Sequence, residues 1–158
     1  MANGPLRTRR PVIGVTMGEP AGIGPEVLVQ ALADAAIRAR ARFVIYGLNE
    51  LMTYAADRWE VEPDWSRVPH DSSRTARPID DDVCVLDYDE FDGFIQHPHE
   101  PSRTGGVASK AFVEDAIVDA MRPEGDPRHI DAVVTGPICK QSWTCLLYTS
   151  PSPRDIGE

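Results

Sequence analysis

The stretch "VTMGEPAGIGPEV", residues 15–27, decides the fold, because it joins an apolar run to a helical pattern through a turn dense in glycine and proline. The apolar run over residues 11–17 is typical of a buried strand. Pro25 stands in the first turn of the helix that follows, where proline is tolerated, and apolar residues recur at helical spacing as far as Ala36. Residues 42–47 form the next apolar run. A strand, a helix and a strand in this order predict a parallel, right-handed βαβ unit.

The rest of the chain continues this alternation of strands and helices. The further predicted elements are strands over residues 82–88 and 130–137, helices over residues 49–59 (with Asn49 as a possible N-cap) and 107–121, and polar loops over residues 60–82 and 96–106. Together they predict an α/β fold with a mostly parallel sheet flanked by helices. Ligands of such sheets bind beyond the carboxyl ends of the strands, and the segments "MGEPAGIGPE" and "TGPICK" both fall there.

Composition narrows the class of protein. A chain of 158 residues suits one domain with a core, or part of a larger protein. The net charge of -9 argues against a nucleic-acid or membrane partner, since either would be repelled. The three cysteines have no CxxC spacing, which favours reduced thiols and a cytoplasmic protein. Residues 1–10 are predicted to be a flexible tail, because no signal-peptide apolar core follows them.

The glycine-rich loop does not match a known nucleotide site. It has no lysine followed by serine or threonine, as a P-loop requires, and it lacks the third glycine of the dinucleotide-binding fingerprint. Glu19 and Glu26 also place two carboxylates beside the expected phosphate position. A tight strand-to-helix turn is the simpler interpretation. The five glycines and prolines from Gly18 to Pro25 nevertheless exceed what a simple turn needs.

Three segments, "GVTMGEPAGIGPEV", "TGGVASKAFVEDAI" and "DAVVTGPICK", resemble in this order segments of the 4-hydroxythreonine-4-phosphate dehydrogenase family of pyridoxal 5'-phosphate (vitamin B6) synthesis. The resemblance covers residues 11–143 and is weak over residues 60–82. It implies a fold like that of isocitrate and isopropylmalate dehydrogenases, incomplete in this chain, and a homodimer. The implied reaction is NAD- or NADP-dependent oxidation of 4-phosphohydroxy-L-threonine to a 2-amino-3-oxo-4-phosphate acid that decarboxylates. A divalent metal (Zn, Mg or Co) held by histidines would stabilise the alkoxide.

The resemblance selects five candidates for a substrate or cofactor loop: Gly18, Glu19, Gly22, Gly24 and Lys140. It assigns no catalytic residue and no metal ligand, because the family's metal-binding histidines and its Gly-His-Thr segment lie downstream of "TGPICK". The four histidines of this chain all lie upstream: His70, His97, His99 and His129.

Other candidates have simpler interpretations. His97 and His99 form an H-x-H pair that could bind metal, but no third ligand is suitably spaced, so a solvated loop is favoured. Ser109 and Lys110 are predicted to open a helix and could attract an anion, although a plain helix start is favoured. Cys139 is predicted to be a packing residue.

Three other functions remain open from the sequence. One is a sister dehydrogenase acting on 4-phospho-threonate, another is a non-catalytic module that binds a phosphorylated metabolite, and a distant one is an acyl transferase like phosphotransacetylase. A Gly-His-Thr segment followed by spaced histidines, downstream of this sequence, would favour the enzyme over the module.

Residues 144–158, "TCLLYTSPSPRDIGE", break the pattern, since two Ser-Pro pairs stand where a helix is expected. They resemble an adaptor-derived peptide, and we expect a non-native tail after the dehydrogenase part at residues 11–143. A genuine disordered C-terminus is the alternative. On this interpretation the chain is an N-terminal fragment.

We predict that the purified chain oxidises no 4-phosphohydroxy-L-threonine with NAD or NADP, even with added divalent metal, because the metal-binding histidines are missing. The absorbance of the reduced nicotinamide measures this directly. Turnover above a control without protein would contradict the prediction.

Overall fold

The computed structural model describes residues 9–93 and 100–147 of the chain. Five strands form one sheet in these parts: β1 (Val12–Thr16), β2 (Arg42–Gly47), β3 (Ser66–Pro69), β4 (Val83–Asp87) and β5 (Ala132–Thr135). The helices are α1 (Gly24–Leu32), α2 (Ala35–Arg38), α3 (Asn49–Arg58), α4 (Arg103–Ala120) and α5 (Lys140–Leu147). The strand order is β3-β4-β2-β1-β5, and every pairing is parallel. The predicted α/β fold with a parallel sheet flanked by helices is confirmed.

Helices cover both faces of the sheet. The connection from β1 to β2 crosses the sheet in one direction, and the connection from β4 to β5 crosses in the other. Because such crossovers are right-handed, α1 and α4 lie on opposite faces. Helix α3 packs against α1, while α4 packs on β1, β2 and β5. The core between these layers includes Met17, Ile45, Val85 and Phe112, each completely buried.

Two helix predictions need correction. The first predicted helix does not continue to Ala36 but ends at Leu32, because the Asp34 side chain accepts a hydrogen bond from the Ala36 N–H (2.8 Å) and starts the separate short helix α2. Asn49 is not the N-cap of α3. Its N–H donates to the Asp87 carboxylate (2.9 Å), so a carboxylate distant in sequence satisfies this helix start.

Two loop predictions are also wrong in part. Residues 60–82 contain strand β3 and a short 3-10 helix, Ser73–Ala76. Helix α4 begins at Arg103 rather than at Val107, because the Ser102 hydroxyl caps it by accepting a hydrogen bond from the Gly105 N–H (3.0 Å).

Described structure extends beyond both ends of the predicted dehydrogenase part, residues 11–143. Arg9 and Arg10, at the end of the predicted tail, form ion pairs with Asp131 and Asp82. Helix α5 continues past Trp143 to Leu147, four residues into the segment predicted to be non-native. Residues 1–8, 94–99 and 148–158 lie outside the described residues, and so do His97 and His99. None of the described helices has the length and apolar character that a membrane crossing needs.

The two edges of the sheet differ in chemistry. At the β3 edge Pro69 offers no N–H, and Arg67 forms ion pairs with Asp87 and Asp89. The β5 edge carries neither charge nor proline, and Val134 is 52% exposed there. Charge and proline are the usual protection against strand addition, so only the β3 edge is protected.

Candidate functional site

Two loops meet at the carboxyl edge of the sheet. Because β1 and β5 are parallel neighbours, the loops that follow them leave the sheet side by side. The Gly136 N–H donates to the Thr16 carbonyl (2.8 Å), and the Glu19 N–H donates to the Pro137 carbonyl (2.9 Å). The structure therefore joins the glycine-rich loop to "TGPICK", two segments far apart in sequence.

Gly18 and Gly24 are needed for this junction. Gly18 has φ +80°, and a Cβ there would lie 2.2 Å from the Pro137 carbonyl oxygen. A Cβ on Gly24 would lie 1.9 Å from the Met17 carbonyl oxygen. Side chains at these two positions would push the loop away from β5 and α1 away from β1. Gly22 has a lesser part, since its N–H closes a turn onto the Glu19 carbonyl (2.9 Å).

Glu19 is buried beneath the junction. It is 5% exposed, and neither carboxylate oxygen makes a hydrogen bond with a described residue. Burial raises the pKa of Glu19, and the nearby Ser142 hydroxyl and Ala21 N–H offset only part of that rise. The carboxylate packs on the first turn of α4, where a Cβ on Gly105 would lie 2.0 Å from Oε1. Since the positive end of this helix already faces a carboxylate, an anionic ligand cannot bind at the same place.

Helix α5 is fastened to α4 by two serines. The Ser142 hydroxyl, which is buried, accepts a hydrogen bond from the Ser102 N–H (3.2 Å). The Trp143 indole N–H donates to the Ser109 hydroxyl (2.8 Å). Ser109 therefore packs α4 against α5 instead of opening a helix. Lys110 lies with it in the second turn of α4 and pairs with Glu114 (2.5 Å), so the prediction that Ser109 and Lys110 open a helix is wrong.

Lys140 and Cys139 stand at the start of α5. The Lys140 side chain is exposed, and its ammonium makes no hydrogen bond or ion pair with a described residue. Cys139 is half-exposed. The N–H and hydroxyl of Ser142, with the N–H of Gln141, lower the pKa of the Cys139 thiol. Cys139 is thus only partly buried, and it lies beside the one lysine of this edge.

The other half of the carboxyl edge is acidic. Asp87 ends β4, and Glu50 and Asp92 lie next to it around one surface depression. Burial, with Glu50 and Asp87 as neighbouring charges, raises the pKa of Asp92 to about 6. The exposed cation of this edge, Lys140, lies at the other half, beside β1 and β5.

The described residues of this edge do not fit a metal centre. His70 pairs with Glu90 (2.8 Å) and stacks on Tyr88. Within residues 9–93 and 100–147, one group of potential ligands comes together, formed by Glu124, His129 and Asp131. It lies at the amino ends of the strands, and Asp131 there already accepts a hydrogen bond from the Val12 N–H (2.8 Å).

Comparisons with known proteins follow this geometry. No family model matches the chain. A Synechococcus sp. (strain JA-3-3Ab) protein is 30% identical over 154 residues, and a Trichlorobacter lovleyi protein is 42% identical over 137 residues. Both are named 4-hydroxythreonine-4-phosphate dehydrogenase. The chain is related to this dehydrogenase family. The resemblance that the three sequence segments indicate is thereby confirmed.

Other comparisons extend this relationship. The D-threonate 4-phosphate dehydrogenase proposed for Symbiobacterium thermophilum is 34% identical over 136 residues. The crystal structure of a 4-hydroxythreonine-4-phosphate dehydrogenase from Burkholderia phymatum matches 93% of the chain with a TM-score of 0.73 and 24% identity, which supports the fold alone. The chain spans 38–39% of the length of these three sequence relatives and 42% of that structure.

The sequence predicted some of these residues better than others. Gly18, Glu19, Gly22, Gly24 and Lys140 all lie on the two loops or at the start of α5, and their part in a substrate or cofactor site stays a prediction. Ser102 and Ser142 were missed. Ser102 is of a residue type favoured at N-caps and stands shortly before the helical pattern, which could have indicated the cap. No local signal indicates that Ser142 is buried against α4.

Gly18→Ala is predicted to destabilise the chain more than Gly125→Ala. Both glycines have positive φ, but a Cβ on Gly125 meets nothing within 4 Å, whereas one on Gly18 meets the Pro137 carbonyl. We expect the free energy of unfolding, measured with urea, to fall by about 1 kcal/mol in Gly125→Ala and by about 2–4 kcal/mol in Gly18→Ala. Equal losses would show that the junction with Pro137 does not form.

Glu19→Gln is predicted to stabilise the chain at neutral pH. Burial raises the pKa of Glu19 in the folded chain above its ordinary value of 4.5. The folded chain is therefore most stable below pH 4.5, where Glu19 is neutral, and it loses stability as the pH rises through the folded-state pKa and the buried carboxyl ionises. The glutamine amide cannot ionise, so the free energy of unfolding of the variant should be about 1–3 kcal/mol higher than that of the unmodified chain at pH 7 and equal to it at pH 4. Urea unfolding at both values measures this.

Glu26→Gln is the matched control, because Glu26 forms only a partly exposed pair with Arg58 (3.4 Å). It should change the free energy of unfolding by less than about 1 kcal/mol at either pH. A Glu19→Gln variant that is less stable at pH 7 would mean that the carboxylate is ionised and has found a partner.

Proposed function

We propose that the chain supplies strand-end loops to an NAD- or NADP-dependent dehydrogenase of small phosphorylated hydroxy acids, with 4-phosphohydroxy-L-threonine as the leading substrate. The observation that carries the proposal is the junction of the glycine-rich loop with "TGPICK" at the carboxyl edge, the place where parallel sheets bind ligands. These are two of the three segments that resemble the family.

Each candidate residue has its own part in this proposal. Lys140 pairs with the substrate phosphate or carboxylate, since its ammonium is exposed and has no partner among the described residues. Gly18, Gly22 and Gly24 let the backbone of the loop come close to the ligand. Glu19 holds the loop against α4 from below, because its carboxylate is buried and does not reach the ligand.

The remaining parts of the reaction are assigned to residues elsewhere. The chain covers 38–39% of the relatives' length, and the described residues at the carboxyl edge form no metal-ligand group. The proposal therefore places the divalent metal, the catalytic residues and most contacts to the nicotinamide in other residues of a longer polypeptide or of a second subunit. A homodimer and a cytoplasmic location remain predictions.

Oxidation of D-threonate 4-phosphate is the second candidate. The relative from Symbiobacterium thermophilum, at 34% identity, favours it. The two substrates share the phosphate and differ at the second carbon, which bears an ammonium in one and a hydroxyl in the other. A non-catalytic module would use the same phosphate contact without oxidation.

Binding of both substrates to the 158-residue chain tests the proposal. The sequence has two lysines, so Lys110→Gln is a matched control for Lys140→Gln. We expect Lys140→Gln to weaken binding about tenfold, because a charge-assisted hydrogen bond is lost, and Lys110→Gln to leave it unchanged. Amide chemical shifts in an NMR titration report both the affinity and the place of binding.

Shifts confined to residues 17–24 and 136–142 would support the site. Equal losses in the two lysine variants, or shifts elsewhere on the sheet, would contradict it. Tighter binding of one substrate would mean that these loops distinguish the ammonium from the hydroxyl at the second carbon.

A further inference from the structure

A second cavity lies at the opposite end of the sheet from the proposed substrate loops. Its volume is about 520 Å³, which is within the range of small-molecule sites. It opens over β2 and β4 on the face that α4 covers farther along the sheet. Residues 78–81 and 124–130 form its two sides. None of the substrate-loop candidates lines it.

The floor of this cavity is apolar. Val44 and Tyr46 of β2 lie beside Cys84 and Leu86 of β4, and Ile79 closes one side. The register pairs Val44 with Cys84 and Tyr46 with Leu86, so these four side chains share one face of the sheet. The Tyr46 hydroxyl already donates to Asp119 (2.8 Å), which also lines the cavity. A flat or branched apolar group would therefore find a continuous surface here.

Arg42 stands at one side of this floor, and its Nε is unsatisfied. It begins β2 and is half-buried. Its Nε is buried and donates to no described residue. A buried donor without an acceptor is unfavourable, so an anionic group entering the cavity would gain both a hydrogen bond and a charge partner.

The other arginines around the cavity are already paired, and so is Asp126. Arg128 binds Asp119 (2.8 Å), and Arg9 binds Asp131 (3.1 Å). Asp126 pairs with Arg122 (3.3 Å), which follows the C-terminal end of α4. Asp82, which lies near Arg42, forms its ion pair with Arg10, and Arg38 and Arg42 are weaker neighbouring charges. Arg42 is thus the cation of this cavity that lacks a hydrogen-bonded partner among the described residues, while Asp81 lies exposed at the opening.

We propose that this cavity binds a small organic anion whose carboxylate or phosphate pairs with Arg42 and whose apolar body lies on Val44, Cys84 and Leu86. The site is separate from the carboxyl edge, so it stands whether or not the dehydrogenase proposal holds. Its ligand is defined by two features together, one negative group and an apolar body of about the size of a six-membered ring.

Benzoate and phenyl phosphate are the probes, with benzyl alcohol as the neutral analogue. Each is titrated into the 158-residue chain, and methyl and amide NMR shifts are followed. We expect shifts at Val44, Ile79 and Leu86 with the two anions and at least tenfold weaker binding of the alcohol. The tighter of the two anions identifies the headgroup, carboxylate or phosphate.

Arg42→Gln should weaken the binding of both anions at least tenfold. The control Arg58→Gln, on the outer side of α3, should leave their affinity unchanged. If Arg42→Gln does not fold, Arg42→Lys replaces it, since the charge is kept and the planar fork is lost; it should weaken binding of both anions. Equal binding of the alcohol and the anions would overturn the proposal, and so would unchanged affinity in the Arg42 variants.

A variant lacking residues 1–8 completes the test, because Arg9 lines the cavity and these residues precede it. Unchanged affinity in this variant supports a ligand site. Binding that appears only after the deletion would mean that the chain's own first residues occupy the cavity, which would overturn the proposal.

Discussion

The backbone contact between the loop after β1 and the loop after β5 is the constraint on which the carboxyl edge depends. Thr16 and Gly136 are 120 positions apart, yet their backbone groups are hydrogen-bonded. Gly18 can approach Pro137 only because it has no side chain. The position of α5, and with it the position of Lys140, follows from this contact, since α5 begins four residues after Gly136.

Buried polar atoms without partners mark both ends of the sheet. Among the described residues they belong to Glu19, at the carboxyl edge, and to Arg42, at the amino edge. Burying such groups is unfavourable, and in folded proteins they commonly coincide with functional positions. Glu19 and Arg42 carry side chains of opposite charge type, and their surroundings differ. Glu19 lies beneath a loop and braces it, whereas Arg42 lines an open cavity.

The parts of the fold that the sequence predicts are those set by local patterns. Strand Arg42–Gly47 has continuous apolar character, and Pro25 indicates the start of α1. Strand β3 was not predicted, because four residues that include Arg67 and Pro69 show no strand pattern; it forms only because β4 supplies a partner. Tertiary pairing thus overrides propensity at this edge.

The candidate site shows the same division. The glycines and Lys140 are recognisable because they lie in segments that resemble the family. The burial of Glu19 is not recognisable, since it depends on Gly105, which is 86 positions away and has no side chain. The unsatisfied Nε of Arg42 is equally hidden in the sequence, because its neighbours in the cavity come from four separate segments.

The strand order also determines when the site can form. During synthesis β1, β2, β3 and β4 are complete by residue 87, and they already build one side of the sheet. The loop after β1 must wait for residues 132–137 before it has its neighbour. Closing a contact over so long a stretch of chain is slow compared with local pairing. The β1 and β5 half of the carboxyl edge is therefore the last part of this structure to be assembled.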